Sequence, residues 1–521
     1  MFWLSANTVI SLACLGVLVR VLLRRRLWKL SRLPLPPGPP KLPLIGNLLQ
    51  LPTSREWEVY KQWDVQYGSN CGIVHFDAAG KSVIVINSAE VSRDLLEKRS
   101  RIYSSRPSTP MVCDLMGWDW NFGFQRYGER WRAHRRAFSQ NFNTNAAKLF
   151  HPHELRATRQ LLVRFLEDSE QFRTHLRHHA AEIIMSTAYG INTQPHDDPY
   201  VTLAEEAITP LLHALVPGSF LVDAMPSLKH VPSWMPGAGF KRKARVSKEL
   251  ALRMVNEPFL AGKKKMDSGE FIPSFISTSL QKIHDDDDSV RQEKERIIRE
   301  AAGSMYLAGA DTTVAAICSF LYAMAISPEA QRKAQQEIDR VVQGRLPTFD
   351  DENSLPYITA VVWESLRFQN VTPLGIPHFI EIEDEYKGYR IPANSVVISN
   401  VWAILHDENL YPEPFEFNPD RYIRNGKIDT TVEENPTFAA FGFGRRVCPG
   451  RHVAYSSVWI AIASILKTFD ITKATDEQGR IIEPVYEPES TIVATPKPFK
   501  CSIKPRSREA EELIMASSGE I

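Results

Sequence analysis

The residue in this chain best placed to do chemistry is a single cysteine set between glycines and a proline. Cys448 lies in Phe441-Gly442-Phe443-Gly444-Arg445-Arg446-Val447-Cys448-Pro449-Gly450. Glycines let backbone approach a flat ligand, Pro449 fixes the chain just past the sulfur, and nearby amides can stabilise a thiolate. A sulfur displayed this way is a metal ligand or a nucleophile. A second constellation, Ala308-Gly309-Ala310-Asp311-Thr312-Thr313, puts an acid and two alcohols inside an otherwise apolar helical stretch. Read alone, such residues bond back to their own helix or pair with a nearby base. Trp131 and Arg135 stand one turn apart in a basic helical segment, as a solvated face or as donors to an anion. Glu364 and Arg367, three apart, read in isolation as a weak surface pair.

Other chemistries fail on spacing. No Cys-x-x-Cys or His-x-x-x-His partner lies near Cys448, which removes a zinc site. Gly442-x-Gly444 is followed by Val447 where a dinucleotide loop needs its third glycine. A net charge of +1 gives no reason to invoke nucleic acid. Six scattered cysteines offer no disulfide framework and fit a reducing compartment. Hydrophobic residues at 43% and charged residues at 24% allow a sizeable core.

The positioning elements are mostly helical. Apolar spacing predicts helices over about Val453–Leu466, Ser289–Ile326 and Tyr357–Asn370, with Ser289 an N-cap candidate after the acidic loop 285–288. A hairpin is expected over Ile73–Phe76 and Ser82–Ile86, and strands near Phe379–Glu383 and Val396–Ser399. Phe2–Leu23 is an apolar run of 22 residues followed by Arg24, Arg25, Arg26, Lys29 and Arg32. This favours a transmembrane anchor at 1–23 over a cleaved signal peptide, with everything downstream cytosolic. The basic and proline-rich stretch 24–47 reads as a stiff hinge. Residues 48–505 form one catalytic domain, and 506–521 a loose tail. The stretch 211–240 reads either as a core-facing loop or as an apolar lid touching the bilayer. Asn370-Val371-Thr372 is a formal glycosylation sequon, discounted because a cytosolic domain never meets the lumen.

Phe441, Gly444, Arg446, Cys448 and Gly450 resemble the haem-binding signature of the cytochrome P-450 family of haem-thiolate monooxygenases. Residues 225–241 are similar to members from mushroom-forming fungi. The resemblance implies a mainly α fold with a smaller β-rich part, holding haem b through Cys448. It implies that Trp131, Arg135, His378 and Arg446 contact the haem, and that Asp311 and Thr312 deliver protons during oxygen activation. Gly309 would leave room for dioxygen in a locally widened helix, and Arg421 would join Glu364 and Arg367 in a buried network. Electrons would come from NADPH through a separate flavoprotein reductase, with cytochrome b5 as a further donor. The expected activity is oxidation of a lipophilic terpenoid or polyketide-derived metabolite at the endoplasmic reticulum membrane. A haem-thiolate isomerase or dehydratase, or a non-catalytic haem sensor, are the rival readings.

Overall fold

The computed structural model describes residues 33–68, 71–216, 218–429, 435–489 and 491–518. The expected anchor and the basic part of the hinge fall outside these residues.

The elements used below are α1 (Glu56–Gly68), β1 (Ile73–Ala78), β2 (Lys81–Ile86), α2 (Glu129–Asn141), α3 (His151–Glu167), α4 (Phe172–Ile184), α5 (Pro199–Leu215) and α6 (Gly239–Asp267). They continue with α7 (Asp288–Ile326), α8 (Pro356–Phe368), β3 (His378–Ile380), β4 (Ser395–Ser399), α9 (Val401–Leu405), α10 (Arg451–Thr468) and α11 (Arg508–Ser518). The fold is mainly α, with small sheets. The largest sheet runs β1-β2-β4-β3, antiparallel except for the parallel β2–β4 pair in the register Val83↔Val396 to Ile86↔Ser399. That parallel pairing joins strands 313 residues apart in the chain.

The long apolar helix α7 runs through the middle and packs on α2, α4, α6 and α10. Its acidic Asp288 sits in the first turn, where the helix dipole favours it, and Pro328 follows directly after its end. The helix starts one residue before Ser289, so Asp287 rather than Ser289 takes the N-cap position. By length and composition α7 could cross a bilayer, but 67% of its apolar window is buried within the protein, which makes it a core helix.

Two expectations are corrected. Of the segment 506–521, the described part does not trail: α11 packs on α3 and α10, with Ala510 and Ile514 buried and Leu513 partly so, at the i, i+3, i+4 spacing of one helix face. The proline-rich segment does not stand off from the domain after Pro34. Arg390 N donates to Pro34 O at 2.8 Å, His75 N donates to Pro37 O at 2.9 Å, and a Cβ on Gly38 would sit 1.8 Å from His75 O. The stretch 211–240 divides its apolar residues. Val222 and Ala238 are buried, whereas Leu221, Met225, Trp234 and Met235 are exposed, Trp234 to 79%. Asn370 is buried, with its amide turned onto Leu366 O, which agrees with discounting the sequon.

Candidate haem-thiolate site

Cys448 sits at the end of a loop that feeds α10, the amide of Cys448 donating to Phe441 O at 2.8 Å to close it. Gly442 and Gly444 have left-handed φ of +77° and +58°. At Gly444 the need is twofold, since a Cβ there would also lie 2.0 Å from Leu96 O. At Gly450 a Cβ would meet nothing within 4 Å, so protein crowding does not explain that glycine. Burial raises the Cys448 thiol; the Gly450 N–H and the charges of Arg135 and Arg451 act in the opposite direction.

Around this loop stands a group of cations without anions. Arg446 donates to Ser104 O and Gln125 O, each at 2.7 Å, and its guanidinium lies 4.4 Å from the Trp131 ring centroid. Arg135 donates to Val447 O at 2.6 Å. His378 Nδ1 donates to Tyr103 O at 2.7 Å. Arg106, which no sequence pattern singles out, donates to Gly123 O, Ile376 O and Pro377 O at 2.6 to 3.1 Å. It reaches His378 because Ser105 bridges Phe379, with Phe379 N donating to Ser105 O at 3.0 Å. Among the described residues, no carboxylate lies within ion-pair distance of Arg106, Arg135 or Arg446. Burial lowers Arg106 to about 9; burial, then Arg106 and Arg135, lower Arg446 to about 8. His378 is held well below its ordinary value by burial and by Arg106 and Arg446. The indole Nε1 of Trp131 is buried without a hydrogen-bond partner. An unpaired buried donor and three carboxylate-free guanidiniums beside a loop-borne thiol suit a flat anionic cofactor bound through sulfur. The donor set therefore fits haem, whose carboxylates would supply the missing negative charge.

Along α7, residues 301–306 and 314–321 are buried, but 307–313 are partly exposed and Ala308 is exposed. This break places Asp311 and Thr312 at an opening in the core. Burial raises the Asp311 carboxyl, with Glu205 and Glu489 adding to that and Arg177 and Arg173 opposing it. Thr312 donates to Ala308 O at 2.7 Å, the back-bond of a helical threonine. The helix stays α-helical from Asp288 to Ile326, so the expected local widening is absent. Nor does Gly309 leave an open space: a Cβ there would sit 2.3 Å from Ile184 Cδ1, so its role is close packing against α4.

Glu364, Arg367 and Arg421 do come together. Glu364 and Arg367 are both fully buried and form a two-pronged pair at 2.8 Å each. Arg421 Nε reaches Glu364 Oε1 at 3.3 Å, and Tyr422 OH donates to Oε2 at 3.0 Å. Tyr411, Tyr422, Ala439 and Phe443 share one core cluster, which connects this network to the start of the cysteine loop. A separate surface cavity of about 480 Å³, lined by Trp402, His406 and Phe415 among others, contains none of these residues.

Comparison with known proteins agrees with this arrangement. Residues 36–503 match the family model described as Cytochrome P450. The chain is 47% identical over 517 residues to Cytochrome P450 monooxygenase 98 of Postia placenta, covering 98% of both chains. It is 42% identical to Cytochrome P450 monooxygenase ple1 of Rhodocybe pseudopiperita, covering 92% of this chain and 91% of that one. It is also 42% identical to Tryptamine 4-monooxygenase of Psilocybe cyanescens, covering 92% and 95%. The sulfur-bearing loop, the unpaired cations around it and full-length similarity to fungal monooxygenases together establish that this chain belongs to the cytochrome P450 family of haem-dependent oxidoreductases.

Proposed function

We propose that this enzyme inserts oxygen into a lipophilic secondary metabolite of terpenoid or polyketide type. It would draw electrons from NADPH through a separate flavoprotein reductase, with cytochrome b5 as an additional donor. The observation that carries the reading is the anion-free cluster of Arg106, Arg135, Arg446 and the orphaned Trp131 Nε1 beside Cys448. Cys448 would hold the haem iron through its sulfur, and these residues with His378 would hold the cofactor's carboxylates. Bound there, haem supplies electron transfer and oxygen activation, and the thiolate favours O–O cleavage.

The protein's own part is positioning and proton control. Arg135 and Arg451 place positive charge near the sulfur and so favour its ionised form. Asp311, raised by burial, holds a proton more readily than an ordinary carboxyl and so is suited to donate one through Thr312 at the core opening. For that, the Thr312 hydroxyl must leave Ala308 O or share its hydrogen bond. Glu364, Arg367 and Arg421 would hold the cysteine loop in place. The exposed Leu221, Met225, Trp234 and Met235 support docking of the 211–240 lid on a membrane. With the 1–23 anchor, this points to the cytosolic face of the endoplasmic reticulum.

The test is reconstitution with a NADPH-dependent flavoprotein reductase under isotope-labelled dioxygen against a panel of lipophilic terpenoids and polyketides. The proposal expects one labelled oxygen atom in the product. Turnover without label and without NADPH use would instead identify an isomerase or dehydratase.

A further inference from the structure

Two buried polar side chains join the helix that carries Trp131 and Arg135 to the helix that carries Asp311 and Thr312. His134 of α2 is fully buried, and its Nε2 lies 2.8 Å from Glu300 Oε2 of α7. Its Nδ1 lies 2.8 Å from the Arg130 carbonyl one turn back. The same carboxylate accepts from Arg130 Nη2 and from Arg296 Nη1, each at 3.1 Å. Donors from both helices thus converge on one carboxylate whose side chain is only 7% exposed. Phe122 stacks parallel to His134 at 6.2 Å, and its N–H reaches Ser304 Oγ, one turn along α7 from Glu300.

We propose that Glu300 and His134 are positioning residues, a clamp that fixes α2 against α7 and so sets Trp131 and Arg135 relative to Asp311 and Thr312. This rests on the haem-thiolate reading of Cys448. On α2, His134 adjoins Arg135 and lies one turn from Trp131, so any rotation or shift that releases His134 moves both cofactor-facing donors. On α7, Glu300 and Asp311 are eleven residues apart, three turns and about 16 Å along nearly the same face. The clamp therefore anchors the stretch that leads straight into the core opening. A well-packed apolar contact would stabilise the α2–α7 junction about as well, so stability alone does not account for a charged one. What the charged contact adds is directionality: it is satisfied at one helix placement.

The test uses the full-length, haem-loaded protein and four variants: Glu300→Gln, His134→Gln, His134→Leu and Arg296→Gln. The last removes one donor to Glu300 from a side chain that is 36% exposed, and so puts the fold at least risk. Two quantities are measured: the rate of haem transfer to apomyoglobin, and the ratio of peroxide released to NADPH consumed. The ferrous carbon-monoxide spectrum monitors the thiolate. Glu300→Gln should release haem about tenfold faster and raise the peroxide ratio, with the spectrum unchanged, because misplacement of positioned groups by an ångström is costly. Arg296→Gln should move both readings in the same direction by less, and His134→Gln, whose amide can still donate to Glu300, should fall between wild type and His134→Leu. If Glu300→Gln does not take up haem, Arg296→Gln decides. Wild-type haem release and peroxide ratio in the variants, even with a lowered melting temperature, would overturn the proposal and leave the clamp a purely stabilising contact. Failure of the thiolate reading shows separately, as a carbon-monoxide spectrum unaffected by Cys448→Ser.

Discussion

Replacing Glu364 with alanine removes the acceptor at the centre of the network that backs the cysteine loop. In the native protein its two oxygens receive Arg367 Nε and Nη2 at 2.8 Å, Asn418 N at 2.9 Å, Tyr422 OH at 3.0 Å and Arg421 Nε at 3.3 Å. The deletion leaves the Arg367 guanidinium, also fully buried, with only the carbonyls of Leu405, Pro414 and Glu416 and no counter-charge. Breaking a buried pair from one side costs about 3–5 kcal/mol, far more than the pair itself is worth against an apolar substitute. Because Tyr422 shares a cluster with Ala439 and Phe443, the damage should reach Cys448 as well as the global fold. The assay is urea unfolding followed by tryptophan fluorescence, together with haem content per chain. Glu364→Ala should lose most of its haem and unfold at markedly lower urea, whereas the double variant Glu364→Leu with Arg367→Met should recover part of the stability. Arg332→Ala, which breaks an exposed pair with Glu329, should leave the unfolding midpoint unchanged. A Glu364→Ala protein within about 1 kcal/mol of wild type and fully haem-loaded would refute the reasoning.

Further outcomes follow from other sites. Thr312→Ala should keep its haem but divert reducing equivalents to peroxide, read as product per NADPH; an unchanged yield would remove Thr312 from proton delivery. Gly309→Ala should destabilise by about 1–3 kcal/mol through its clash with Ile184, and Ile184→Ala should restore stability, measured as thermal unfolding of the single and double variants. Glu154 is fully buried, and its carboxyl is pushed up to about 8, chiefly by burial. A raised folded-state value means that its contribution is complete below the ordinary carboxyl range and is lost as pH rises towards about 8. Glu154→Gln should therefore flatten the fall in stability between about pH 4.5 and 8, an effect on the order of 4–5 kcal/mol, read from urea unfolding across that range. Trp234→Ser should weaken binding of the chain to lipid vesicles if the 211–240 lid meets the bilayer.

Short-range signals carried most of what was legible in the sequence. The glycine-rich cysteine loop, the apolar run of α7, the period of α8 and the β1–β2 hairpin each need only neighbouring residues, and each stands close to where its spacing places it. The tail failed because α11 is charged on one side and its buried face is narrow, so composition masked the apolar spacing of Ala510, Leu513 and Ile514. Gly309 was misread because its partner, Ile184, lies more than a hundred residues away on another helix. Arg106 was missed for the same reason. Ser104-Ser105-Arg106-Pro107 carries no periodic signal, and its place beside His378 depends on a bridge between Ser105 and Phe379. The Glu300–His134 contact joins residues 166 positions apart on two helices, so no local spacing signals it.

Cys448 is proposed to hold haem through its sulfur. The most direct measurement is the ferrous carbon-monoxide difference spectrum of the purified protein beside that of Cys448→Ser. A strongly red-shifted Soret band in the wild type, lost in the variant, is the predicted result. Absence of haem, or an imidazole-like spectrum that does not depend on Cys448, would contradict it.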